Sequence, residues 1–219
     1  MIRNHTLTSA ISTIFFVMLI GIADLKASGK QDFFSAIKSG NASLVVSLID
    51  RGANVNELDD VKGYTALTWA IIRDHPKVIK ALVNKGANVN GFNSNGSTAL
   101  MVAAGLDRTD ALVILINKGA NINFQSKDNS VLAMAVFNGH LNIVETLIES
   151  GGNINLKSIN GGTVLMVAAI KGYSDIANLL IANGIDVNAK TDTGVTALSL
   201  AYKFGSKEIV KLLKEAGVQ

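Results

Sequence analysis

Apolar and polar residues along this chain recur in blocks, each of which reads as two short helices and a turn. In the block that opens at Gly96, Leu100, Ala103 and Ala104 follow Thr98 at helical spacing. The Thr98 hydroxyl is placed to cap the first turn by accepting one of its unpaired N–H groups. Asp107 and Arg108 interrupt the pattern. A second helix is predicted from Thr109 to Lys118, with Leu112, Leu115 and Ile116 on one face. Lys118 sits in its last turn, where a cation suits the helix dipole. Gly119 ends it, because a residue just past a helix C-terminus often needs positive φ, which glycine adopts without steric cost. Asn121-Ile122-Asn123 then leads into a polar turn towards the next block.

The block repeats. Glycines stand at Gly52, Gly86, Gly119, Gly151, Gly184 and Gly217, with gaps by subtraction of 34, 33, 32, 33 and 33 residues. Each closes a similar phrase, such as Leu-Ile-Asp-Arg-Gly-Ala-Asn-Val-Asn at 48–56 and Leu-Val-Asn-Lys-Gly-Ala-Asn-Val-Asn at 82–90. A fixed period near 33 predicts a stacked solenoid rather than a globule around a central pocket. The predicted helices are shorter than the roughly 12–15 residues that an isolated helix needs in water, so each unit must bury its apolar faces on its neighbours. Ala70, Ala103, Ala135, Ala168 and Ala201 recur at one position, where helices are expected to approach closely. Such a stack lacks a deep closed pocket, which favours binding over catalysis.

The phrase Thr-Ala-Leu-x-x-Ala at 65–70, 98–103 and 196–201, Gly139-His140, and Gly-Ala-Asn-Val-Asn together resemble the ankyrin repeat. The resemblance implies an all-α solenoid of stacked helix-turn-helix units joined by β-hairpin-like loops. It covers residues 32–219, with five units starting near Gly63, Gly96, Asp128, Gly161 and Gly194. Asp32–Asn56 supplies the helix pair of a partial first unit. The family's Thr-Pro-Leu-His phrase never appears whole. Ala66, Ala99, Val131, Val164 and Ala197 replace its proline, and Thr68, Met101, Ala133, Met166 and Ser199 its histidine. Met101 and Met166 suggest apolar packing there. Asp74 and Asp107 stand where the family has a glycine, and aspartate tolerates the left-handed conformation better than most residues. Pro76 is placed to start a second helix, and Lys207–Ala216 has the charged outer face of a terminal cap.

Residues 1–23 fall outside the repeat. Arg3, an apolar stretch dense around Ile14–Ile22, and small residues at Gly21, Ala23 and Ala27 follow the order of a secretory signal peptide. Cleavage is expected after Ala23 or as late as Ala27, with 24–31 as a short linker. The rival is an uncleaved membrane anchor, but Ser12 and Thr13 interrupt a run already short of the roughly 18–20 apolar residues a span needs. The formal net charge of +3 is too small to argue for nucleic acid. Cysteine is absent, which excludes disulfides, thiolate metal sites and a cysteine nucleophile.

No zinc, phosphate-loop or nucleophile-elbow motif is present. His75 and His140 stand at the turn between helices, where a structural role is expected, and His5 lies in the leader. Asp59-Asp60 reads as a solvated turn without a third ligand. We therefore expect no enzyme, no cofactor and no small-molecule substrate. What remains is surface. In the family, partners dock on the concave face formed by the hairpin tips and first helices. The tips here offer Leu58, Phe92, Phe124 and Leu156, of which the last two could instead turn inwards. The first helices offer Ile72, Leu106, Phe137, Ile170 and Phe204, read as a stripe at one offset, with Tyr64 and Trp69 nearby. The expected function is a protein–protein interaction scaffold in the periplasm or cell envelope; a secreted effector that binds a host protein is the alternative.

Overall fold

A threonine or serine hydroxyl starts the first helix of every complete unit. Thr65, Thr98, Ser130, Thr163 and Thr196 are extended, and each accepts the backbone N–H three residues on. The computed structural model describes residues 29–126 and 129–218. Helix α1 runs over 29–38 and α2 over Ala42–Asp50. Four further pairs follow: α3 Ala66–Ile72 with α4 Pro76–Asn84, α5 Ala99–Gly105 with α6 Thr109–Asn117, α7 Val131–Asn138 with α8 Leu141–Glu149, and α9 Val164–Lys171 with α10 Ser174–Ala182. The last described pair is α11 Ala197–Lys203 with α12 Lys207–Glu215. A two-stranded antiparallel hairpin, β1 Gln125–Ser126 with β2 Asn129–Ser130, precedes α7. Single bridges Leu58 to Thr65, Phe92 to Thr98 and Lys190 to Thr196 mark the same place in other units. The expected leader lies outside the described residues. Residues 29–31, expected as linker, instead form the first turn of α1, where Lys30 pairs with Asp60 at 2.5 Å and Glu57 at 3.4 Å.

The helices form two layers. First helices pack on first helices, α3 on α5 and onward to α11, and second helices do the same from α2 to α12. One continuous apolar cluster runs from Phe33 to Val218. The five recurring alanines are fully buried, so a longer side chain there would push neighbouring helices apart. Met101 and Met166, at the family's histidine position, are buried too and join the apolar cluster.

Each first helix stops where one residue takes a left-handed conformation. Gly139 does so with φ of 77°, and a Cβ there would also meet the Tyr173 ring at 2.8 Å. Asp74 and Asp107 do it with φ of 56°. The residue that opens the next helix reaches back to the preceding unit. His75 Nε2 contacts the Lys38 carbonyl at 3.2 Å, and His140 Nε2 the Gly105 carbonyl at 3.1 Å. Ser206 donates to the Ala169 carbonyl at 2.8 Å, and Arg108 pairs with Asp74 at 3.4 Å. Both histidines thus serve helix ends that would otherwise leave carbonyls without donors.

Asparagines close the other edge. Asn56 Oδ1 accepts from Asn88 N, Asn90 from Asn121 N, Asn123 from Asn153 N and Asn155 from Asp186 N, at 2.7–2.9 Å. Within each turn the first asparagine, or Asp186 in the last, accepts from the second, as Asn121 does from Asn123 N at 3.0 Å. At the C-terminal end, Tyr202 occupies the position that Ile71, Ala104, Val136 and Ala169 bury, yet it is exposed and lies 5.6 Å under Lys214. Among the described residues no helix is long and apolar enough to cross a membrane.

Asn123→Ala should cost about 1 kcal/mol, the usual worth of one intramolecular hydrogen bond. Asn123→Asp, which keeps the acceptor oxygen, should recover most of that. Urea unfolding curves of the three proteins check it; equal midpoints would dismiss the ladder as a stabilising element.

Candidate protein-binding groove

Four residues past each capping hydroxyl stands one half-buried apolar side chain: Trp69, Val102, Met134, Val167 and Leu200. This row lies on the first helices at a single offset and gives the inner face an apolar floor. Towards the C-terminal end the floor opens into a groove of about 480 Å³, within the range of ligand pockets. Ala133, Val167, Ile170 and Leu200 line its helical side, and Leu156, Ser158, Asn160, Thr191, Asp192 and Val195 its hairpin side. Helix and hairpin therefore face each other across one concavity.

The stripe read from sequence at one offset is instead two. Ile72, Phe137 and Ile170 stand seven residues past the cap, whereas Leu106 and Phe204 stand eight past it. These are three and four residues beyond the row. Both spacings keep a helical side chain on the same face. Leu106, Phe137, Ile170 and Phe204 are exposed, and Ile72 is half-buried. Ile170 lines the groove; the other four do not. Tyr64 is half-buried, with its ring edge-on to Trp69 at 5.4 Å, so it shapes the N-terminal floor rather than projecting.

At the tips, parity decides. Leu58 and Phe92 stand six residues past their turn glycines and are exposed. Phe124 and Leu156 stand five past theirs and are half-buried, because one residue along an extended strand reverses the face. Phe124 packs on Phe92 at 5.2 Å, and Leu156 lines the groove. Two exposed tip residues escaped the sequence reading, Val61 at 82% and Ile159 at 72% exposure. So did Val102, Met134, Val167 and Leu200, although their constant distance from the capping hydroxyl was a usable signal.

Several cations stand against rings on this side of the molecule. Lys38 Nζ lies 4.2 Å from the Trp69 ring centre, and the Arg73 guanidinium 5.7 Å. Lys171 Nζ lies 4.0 Å from the Phe137 ring centre, and Lys203 Nζ 5.7 Å from that of Phe204. Among the described residues no group of three or more His, Asp or Glu side chains is arranged to hold a metal ion.

A sequence profile of the family described as ankyrin repeats (3 copies) matches residues 33–126 and 129–219. The chain is 33% identical over 75 residues to the ankyrin repeat and SAM domain-containing protein 6 of Rattus norvegicus, a match covering 34% of this chain and 8% of that one. It is 32% identical over 84 residues to an IkB-like protein of African swine fever virus, covering 38% and 35%. The match thus spans well under two thirds of the length of these curated relatives. Among solved structures, an ankyrin repeat domain from Acinetobacter baumannii superposes with a TM-score of 0.79 at 27% identity, covering 85% of this chain and 98% of that one. The ankyrin repeat domain of Bcl-3, of the IkappaB family, gives 0.77 at 27%, covering 83% and 81%. A chain from the complex of a Bdellovibrio bacteriovorus predatory endopeptidase with an immunity protein gives 0.74 at 26%, covering 84% and 97%.

Asp59 departs from the expected solvated turn: Asp60 is exposed, but Asp59 is only 5% exposed. Its Oδ1 accepts from Tyr64 N at 2.8 Å and Lys62 N at 3.3 Å, and Lys38 Nζ approaches Oδ2 to 3.9 Å. These contacts fold the first hairpin loop back on itself and set it against Trp69. Burial alone would raise the carboxyl's pKa. The backbone N–H groups of Tyr64 and Lys62, the neighbouring Trp69 indole and the Lys38 charge outweigh it and hold Asp59 below its ordinary value of 3.8. A carboxyl lowered on folding stabilises the protein fully above its unfolded-state pKa, and that contribution disappears as pH falls through the lower folded value. Asp59→Asn should therefore cost about 1–3 kcal/mol at pH 7. It should also lose less stability than wild type on acidification below about pH 4. Equal losses in urea titrations across that range would contradict this role.

Proposed function

The chain belongs to the ankyrin repeat family, and we propose that it is a non-catalytic protein-binding scaffold exported to the periplasm or cell envelope. Ankyrin repeats are protein–protein interaction modules, and one similar chain comes from a solved complex of an endopeptidase with an immunity protein. The observation that carries the reading here is the apolar groove over α9 and α11, faced by the hairpin segments. Exposed Phe137 and Phe204, with Leu106, extend apolar surface along the first-helix ends beyond it. Large apolar side chains left exposed beside an apolar groove mark a site that another molecule covers. Solvent-facing aromatics are well suited to it, since large rigid rings dominate binding energy at interfaces.

Export rests on the N-terminal sequence. A positive start, a short apolar run and small residues at Ala23 and Ala27 fit a cleaved leader. The absence of cysteine suits an oxidising compartment, and a stack with a continuous core needs no disulfide there.

Crosslinking in intact cells, followed by purification and mass spectrometry, should recover a protein partner with wild type. Phe137→Asp with Ile170→Asp should reduce that recovery by about tenfold or more, as expected for charges placed in an apolar contact. Undiminished recovery by a double variant with wild-type circular dichroism would remove the concave face from the reading. In the same cells the envelope fraction should contain a chain beginning at Asp24 or Ser28. An intact N-terminus in the cytoplasmic fraction would overturn export.

A further inference from the structure

The first-helix ends beside the groove carry charge as well as apolar surface. Lys171 directly follows Ile170, which lines the groove, and Lys203 stands one turn beyond Leu200, which also lines it. Both lysines are exposed. Neither has a carboxylate partner among the described ion pairs, unlike Lys30, Lys38, Lys85 and Arg108. Each lies over a ring instead, Lys171 on Phe137 at 4.0 Å and Lys203 on Phe204 at 5.7 Å. A ring restrains an ammonium through its quadrupole without consuming its hydrogen-bond donors. Neither lysine lines the groove itself, but Lys203 stands seven and Lys171 eight residues past its cap, the offsets of Ile170 and Phe204, so both cations share the helical face of the apolar floor. The acidic group of the groove itself is Asp192, on the opposite, hairpin wall.

The geometry points to an acidic protein segment as the groove's occupant, one that carries a bulky apolar side chain between carboxylates. This inference rests on the groove being the docking face. The apolar side chain enters over Val167, Ile170 and Leu200, and the carboxylates reach Lys171 and Lys203. A carboxylate fits the two lysines because an ion pair there leaves both partners partly solvated, so desolvation costs little, while like charge on a competitor is penalised. A basic segment would be repelled by these lysines. Asp192 sits on the wall where the occupant's backbone N–H groups can meet it. Nucleic acid fits poorly, since the floor is apolar and the chain's net charge is only +3.

The test is a random peptide library displayed on phage and panned on the full chain, with the selected peptides then synthesised. Wild type should enrich peptides of net negative charge that contain a large apolar residue. Their affinity should fall about tenfold or more on Lys171→Glu with Lys203→Glu, and by an intermediate factor on Lys171→Gln with Lys203→Gln. All four substitutions are at exposed positions, and unchanged thermal melts confirm the fold. Neutral or basic enriched peptides, no enrichment, or affinities within about twofold after charge reversal would each overturn the acidic occupant. Ile170→Asp separates the two readings. Peptides that lose binding on Ile170→Asp but ignore charge reversal leave the groove as the docking face and remove only its preference for acid. Peptides indifferent to both remove the groove as well.

Discussion

Helices of seven to nine residues, as in α3 to α12, do not persist alone in water, so every element of this chain depends on the contact surface between neighbouring units. That dependence explains the two continuous layers and the apolar cluster that crosses every unit boundary. It explains the fully buried alanines at the helix approach, where size rather than chemistry is constrained. The polar contacts between units follow the same logic. His75, His140 and Ser206 satisfy carbonyls one unit back, and the asparagines pair one turn with the next. Apolar packing holds the stack together, and these directional bonds set the position of each unit on its neighbour.

With the helices held in this way, variation is confined to the hairpin loops. Leu58 pairs with Thr65, Phe92 with Thr98 and Gln125 with Ser130, so the paired residues stand seven, six and five apart. The same one-residue steps appear in the glycine spacing of 34, 33 and 32 residues. An insertion therefore lengthens a loop without shifting a helix. Asp59 closes the longest of these loops with its own carboxylate. The hairpin loops absorb these steps while still bonding unit to unit, as Ser94 N does to the Gly63 carbonyl at 2.8 Å, and their side also walls the groove.

Much of this architecture was legible in one dimension because it is periodic and local. Capping hydroxyls, left-handed positions at Asp74 and Asp107, and the start of α4 at Pro76 each depend on a few consecutive residues. The candidate binding surface was less legible. Phe124 and Phe92 are alike in sequence, but one residue of register turns the first half inwards and leaves the second exposed. Ile72 and Leu106 both stand near the end of a first helix, yet their distances from the cap differ by one. Asp59 and Asp60 are adjacent and chemically identical, but only the three-dimensional path of the loop buries one of them.

By itself the sequence determined the repeating unit, its helix starts and stops, the solenoid class and the absence of cysteine chemistry. Those properties come from local conformational preference and from a period too regular to fold otherwise. Tertiary structure alone decided which apolar side chains share a concavity, which lysines rest on rings instead of carboxylates, and that Leu156 and Val167 line one groove. The reason is that a concave surface is made by residues from several units. Its shape is set by how those units stack, and no single repeat contains that relation.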